Sequence, residues 1–203
     1  MVWIGDKTFK AGEKMSNIRI FVSHRIDIDS ETVDTPVYFP VRCGAVYDEE
    51  GNSEIQGDDT GDNISKLRMS FCEFTVQYWA WKNVDADYYG LCHYRRYLSF
   101  SDKRYKNTVF NMVRELKLTP HEKKKYHLDD TKKIEKTVKQ YDMIIPVVAK
   151  ASEMSYNRAE VKTLREMWES YNGVYFEQGI IDKMFSLIKE YSPEYYNSAC
   201  EYF

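Results

Sequence analysis

The chain has 203 residues, 43% of them apolar, which is enough for one domain with a hydrophobic core. Its 29 basic and 32 acidic residues leave a net charge of −3, which argues against general nucleic-acid binding. No apolar run approaches the roughly 20 residues of a membrane-spanning helix, so any membrane contact is expected to be peripheral.

Seventeen Tyr, ten Phe and four Trp make the chain 15% aromatic. That composition suits either a Tyr-rich core or a half-wet surface for carbohydrate or a partner. Cysteines fall at 43, 72, 92 and 200 with no Cys-x-x-Cys pair, and three have apolar neighbours. With no secretory apolar segment at the N-terminus, they read as reduced, buried thiols of a cytosolic protein.

Residues 1–17 lack periodicity and read as an N-terminal leader, disordered or outside the domain, with Met15 as an alternative start. The run 18–23 (Ile-Arg-Ile-Phe-Val-Ser) predicts a buried first strand. His24 and Arg25 follow its carboxyl end, where open α/β sheets collect ligands. A second strand is expected over 37–41 and a polar loop over 48–57. Asn63 or Ser65 then caps a helix carrying Leu67, Phe71, Phe74, Tyr78 and Trp81 at helical spacing, widened by Met69, Cys72, Val76 and Trp79. This helix is expected to be largely buried. Residues 87–92 predict another buried strand, 107–118 a helix, and Thr119-Pro120 a helix start. An amphipathic helix over 131–141 runs into a short strand at 142–146. Helices are expected over 157–171 and 176–191, and Pro193 opens a last one. The order predicts an α/β fold with a helical C-terminal half. Lys123-Lys124-Lys125 and Lys132-Lys133 form a basic patch, either a solvated helix face or a contact for anionic lipid or acceptor.

Two stretches carry candidate chemistry. The loop Asp58-Asp59-Thr60-Gly61-Asp62-Asn63-Ile64-Ser65 gathers acids ahead of the helix. A calcium loop beginning at Asp58 would need Gly sixth and Glu twelfth, where Asn63 and Met69 stand, so that reading fails. The loop is then a polar turn with a cap, or a place where Asp59, Asp62 and Asn63 bind a sugar or ribose hydroxyl. In a further alternative Asp59 and Asp62 hold a divalent metal.

The second stretch, Tyr89-Gly90-Leu91-Cys92-His93-Tyr94-Arg95-Arg96-Tyr97, ends an apolar strand in His, Tyr and Arg. A diphosphate leaving group needs positive charge as its bond to the sugar breaks. Many enzymes supply a divalent cation there through an Asp-x-Asp. Here the position holds His93-Tyr94-Arg95, so Arg95, Arg96 or both can take the cation's place, the alternative being arginines in structural ion pairs. The Asp-x-Asp of this chain, Asp85-Ala86-Asp87, precedes the strand and reads as a turn. His24 and His93, each at a strand end, are either satisfied structural groups or ligand contacts. No P-loop, dinucleotide Gly-rich turn, nucleophile elbow or zinc His-Glu-x-x-His pattern is present.

Asp59-Thr60-Gly61-Asp62-Asn63-Ile64-Ser65, Tyr78-Trp79-Ala80-Trp81-Lys82-Asn83 and Gly90-Leu91-Cys92-His93-Tyr94-Arg95-Arg96-Tyr97 come in that order, followed by Tyr141-Asp142-Met143-Ile144-Ile145-Pro146. Together they resemble a bacterial family first catalogued as a domain of unknown function. Its members sit in capsular and exopolysaccharide synthesis and are regarded as glycosyltransferases. The resemblance spans about 18–203. It implies a GT-A-like, nucleotide-sugar-binding sheet and transfer from a UDP-sugar, UDP-galactofuranose or another UDP-hexose, to a polysaccharide or lipid-linked acceptor. A cytoplasmic location is expected, the inner face of the plasma membrane being the alternative. Donor contacts are expected from His24, Asp59, Asp62, Asn63, His93, Arg95 and Arg96, with His93 and Asp62 as catalytic candidates. No cofactor is expected, a divalent metal being the alternative. The family usually continues with a further strand and helix, which this chain, ending at Phe203, is expected to lack. The rival readings are a non-catalytic nucleotide-sugar or glycan-binding remnant, and a helical interaction module built on 121–139.

Overall fold

The computed structural model describes residues 16–28, 30–49, 54–105, 112–147, 151, 162–170 and 177–203, with the backbone of 2–4. It divides into two compact units, one of residues 1–104 and 115–146, the other of 105–114 and 147–203.

The first unit is built on a five-stranded sheet in the order β1-β5-β2-β3-β4. The strands are β1 Val2–Ile4, β2 Ile18–His24, β3 Tyr38–Arg42, β4 Gln56–Gly57 and β5 Tyr88–His93. Strands β5, β2, β3 and β4 are parallel, and β1 pairs antiparallel with β5. β2 is central, so six of its seven residues are buried. That explains its near-continuous apolar run, as expected for a parallel strand covered on both faces. The helices of this unit are α1 Arg68–Phe71, α2 Phe74–Asn83, α3 Pro120–Lys125 and α4 Thr131–Val138. Core residues on the α2 side are Phe21, Val41, Cys43, Val76, Trp79 and Ala80. Phe21 meets Trp79 and Phe39 edge-on, with ring centroids 6.3 and 5.8 Å apart. Asp130 caps α4 through the Lys133 amide, and α4 buries Ile134 and Val138.

The second unit contains α5 Leu164–Glu169, α6 Ile180–Tyr191 and α7 Tyr196–Tyr202. Thr163 and Glu166 form a reciprocal capping box at the start of α5. Phe185 of α6 packs against Tyr196 and Phe203, with centroids 6.2 and 5.6 Å apart.

The structure departs from expectation at five places. Residues 2–4, assigned to a leader, lie on the sheet edge, and the Asn17 amide donates to Asp87. The single helix expected after Ser65 is three pieces: a 3₁₀ turn over Ser65–Leu67, then α1, then α2. The break falls at Cys72, whose φ of 47° interrupts any right-handed helix. The stripe is not largely buried either: Leu67, Met69, Phe71, Phe74 and Trp81 are all at least 46% exposed. Within 107–118, residues 112–118 are not helical, and 107–111 lie outside the described residues. Residues 142–146 form no strand, Ile144 alone making an isolated bridge. Parts of the helices expected over 157–171 and 176–191 (157–161, 171 and 176) also lie outside the described residues. Among the thiols, Cys43 and Cys92 are buried but Cys72 and Cys200 are exposed.

Candidate functional site

Parallel pairing brings the carboxyl ends of β2, β3 and β5 to one edge, with Ser23 beside His93 and His24 beside Arg42. The chain reverses at once after β5. The Arg96 amide donates to the His93 carbonyl at 2.8 Å, closing a turn over 93–96, and the Tyr94 amide donates to Ser23 O at 3.0 Å. Tyr94 is buried, and its ring lies 4.3 Å from that of His93. Tyr97 packs edge-on against Tyr38 of β3 at 5.6 Å, fixing the far side of the turn. The turn thereby holds Arg95 and Arg96 out at the strand ends. Both are exposed, and neither has an ion-pair partner among the described residues. The Arg95 guanidinium sits 5.0 Å from the Tyr94 ring centroid.

His93 is the titratable centre of the turn. Partial burial lowers its pKa below the ordinary value; Glu73 opposes that shift, while Arg96 and Arg95 add to it. The ring is therefore neutral at neutral pH. The Arg95 amide donates to Nδ1 at 3.3 Å, so the proton of the neutral ring is on Nε2, a donor with no partner among the described residues. Two further arginines flank this edge. Arg25, after β2, pairs with Asp27, and Arg68 lies over Gly44, after β3.

His24 occupies the end of β2 but presents no free nitrogen. It is 2% exposed, and its Nε2 and Nδ1 bond Thr32 Oγ1 at 2.6 Å and Ser30 Oγ at 2.7 Å. Its ring lies 6.4 Å from that of Tyr94, which it supports from behind.

The Asp-rich loop is placed elsewhere. Asp58 is fully buried, but beyond it the loop folds back along α2 towards that helix's C-terminal end. Trp79 Nε1 donates to Thr60 Oγ1 at 3.0 Å and Tyr78 OH to Asp62 Oδ1 at 3.1 Å. Asn83 Nδ2 donates to Asp62 O at 2.8 Å, while its Oδ1 accepts from the Asp62 amide at 3.1 Å. Gly61, at φ 57°, lies so close that a Cβ there would fall 2.0 Å from Asn83 Oδ1. Asn63 is spent locally, donating to Asp59 O and Gly61 O and accepting from the Ser65 amide. Two of the sequence motifs are thus one interlocked piece of structure. The charge of Glu73, the residue before α2, acts on His93, whereas Asp62 bonds Tyr78 and Asn83 further along that helix. Among the described residues Asp62 and Asn63 make no hydrogen bond or ion pair with His93, Arg95 or Arg96, and the Asp59 side chain lies over Gly57 at the end of β4. Among the described residues no group of three or more His, Cys, Asp or Glu side chains is placed to share a metal ion. Asp85 and Asp87 sit at the opposite, amino-terminal edge of the sheet, bonded to Asn17.

Sequence reasoning placed Arg25 with His24 at the end of the first strand but passed over Arg68 and Glu73, which looked like polar positions of one continuous helix. An open groove of about 580 Å³ runs between α2 and β5, lined by Phe71, Phe74, Tyr78, Trp81, Tyr89 and Leu91. It is where the exposed aromatic stripe goes.

The α/β fold is like that of a glycosyltransferase: the chain matches the apo structure of the bifunctional glycosyltransferase WbbM with a TM-score of 0.77 and 28% identity. The match covers 92% of this chain and 31% of that one, so the chain spans about a third of WbbM's length. Residues 19–203 match the family described as Domain of unknown function (DUF4422), and the chain belongs to that family. No curated protein matches. No helix among the described residues is long and apolar enough to cross a membrane.

Proposed function

We propose that this chain is a glycosyltransferase of capsular or exopolysaccharide synthesis. It would move a sugar from a UDP-hexose, UDP-galactofuranose first among them, to a polysaccharide or lipid-linked acceptor at the inner membrane face. The observation that carries the reading is the 93–96 turn, which holds two exposed arginines and a neutral His93 at the carboxyl ends of the parallel strands. As the acceptor hydroxyl attacks the anomeric carbon, the bond from that carbon to the diphosphate oxygen breaks, UDP leaves with the electron pair, and the hydroxyl proton is released to solvent. The arginines stabilise the charge that collects on it, and His93 Nε2–H donates a hydrogen bond to it. The reading assigns this work to side chains rather than to a divalent metal.

Calorimetry with UDP tests it. Arg95→Ala and Arg96→Ala between them should weaken binding by about 1.5–3 kcal/mol, the range for a charge-assisted hydrogen bond. Binding and turnover should persist in EDTA. Unchanged affinity in both variants would remove the turn from the site. Loss in EDTA restored by Mn²⁺ would hand the charge to a metal. Binding without turnover of any UDP-hexose would mark a donor-binding protein rather than an enzyme.

A further inference from the structure

We infer that Arg68 is an additional diphosphate contact and that buried Asp58 is the residue that positions it; the inference rests on the donor site proposed above. The Asp58 side chain is fully buried and bonded to donors from three segments. The Gly44 and Ala45 amides, just past β3, donate to its two oxygens at 2.9 Å each. Ser65 Oγ, from the 3₁₀ turn, and Thr75 Oγ1, from the first turn of α2, each donate at 2.6 Å. These four donors occupy both carboxylate oxygens, and among the described residues Asp58 has no ion-pair partner. A carboxylate held only by neutral donors fixes geometry, because each donor would be left unsatisfied if its segment moved.

What the clamp brackets is Arg68. Ser65 lies three residues before it and Thr75 seven after, while Gly44 lies beneath. Gly44 has φ 71°, and a Cβ there would be 2.1 Å from Arg68 Cδ, so the arginine stem runs directly over the backbone that Asp58 holds. From there the Arg68 charge acts on Asp27, after β2, and on Cys43, after β3. Asp27 is already engaged by Arg25, and Arg68 has no ion-pair partner among the described residues. Three of the four parallel strands, β2, β3 and β5, thus have an arginine near the carboxyl end: Arg25, Arg68, and the Arg95–Arg96 pair.

The test compares UDP with uridine, which lacks the diphosphate, by NMR shift titration on the whole chain. Melting temperatures are recorded in parallel. Arg68→Ala should weaken UDP binding about tenfold and leave uridine unchanged, as expected for one charged hydrogen bond. Arg68→Lys should recover part of the loss. Thr75→Val removes one donor to Asp58 and is the milder partner of Asp58→Asn, which is expected to unfold more readily. It should lower the UDP-to-uridine affinity ratio several-fold, with no further loss when combined with Arg68→Ala. A merely structural clamp would lower the melting temperature and leave that ratio alone, overturning the positioning role. An unchanged ratio in folded Arg68→Ala, with Arg95→Ala or Arg96→Ala still impaired, would overturn this inference and spare the donor site. Failure of the unmodified chain to bind UDP would overturn both.

Discussion

His93 illustrates how neighbours set the charge of a single residue. Burial lowers its pKa, the two arginines of its own turn add to that, and Glu73 pulls the other way. NMR titration should therefore give a value below 6.5, the ordinary value for the ring. Arg96→Ala should move it up, and Glu73→Gln should move it further down. The opposite response to either substitution would remove that neighbour from the site. Because the folded pKa lies below the unfolded one, the stability this ring contributes is complete above pH 6.5. It is lost as pH falls from there through the folded value. Cysteine reactivity is likewise decided residue by residue. Burial raises the Cys43 thiol and pushes Cys92 up to about 11. In the native protein at neutral pH, iodoacetamide should label Cys72 and Cys200 and spare Cys43 and Cys92, as peptide mass mapping would show.

Among the elements, α2 is the one that sequence periodicity misdescribes. Its apolar residues occupy two faces with different fates. Trp79 is 5% exposed in the core, whereas Trp81 is 52% exposed on the groove. Trp79→Ala should cost about 3–5 kcal/mol in denaturant unfolding, as for other buried aromatic truncations, and Trp81→Ala much less. Equal losses would mean that the groove is not open. The break before α2 makes a second prediction. Cys72 holds φ 47° and ψ −131°, a conformation suited to glycine. Relief of about 1–3 kcal/mol of strain exceeds the roughly 0.5–1 kcal/mol entropic cost of glycine. Cys72→Gly should therefore raise the melting temperature, and a lower one would show the backbone there to be unstrained. Thr75 explains why the helix breaks. Its hydroxyl donates to Asp58 in the core at 2.6 Å and its amide to the Cys72 carbonyl at 3.2 Å, so the chain restarts at a new angle.

For the molecule as a whole, the parallel sheet turns scattered residues into a site. Strand registers align Ser23 with His93 and His24 with Arg42, and so gather groups some seventy residues apart in sequence. The sequence by itself determined the strands β2, β3 and β5, because a buried parallel strand demands a continuous apolar run and each run is bounded by polar residues. It also determined the helix start at Thr119-Pro120, where Pro takes the first helical position, and the amphipathic helix from Thr131. For the site, it determined that His93, Arg95 and Arg96 end a strand. Only the tertiary structure decided the rest. His24 became a support because Ser30 and Thr32 of a following loop close on both its nitrogens. The Asp-rich loop became a latch on Tyr78, Trp79 and Asn83, because its tip returns along α2 instead of towards the turn after β5. Asp58 left its acidic neighbours for the core, and Arg68 came to lie over Gly44. Such outcomes depend on contacts between residues distant in sequence. Periodicity and capping report only a residue's neighbours within a turn or two, so they cannot say which of the acids Asp58, Asp59 and Asp62 finds four buried donors.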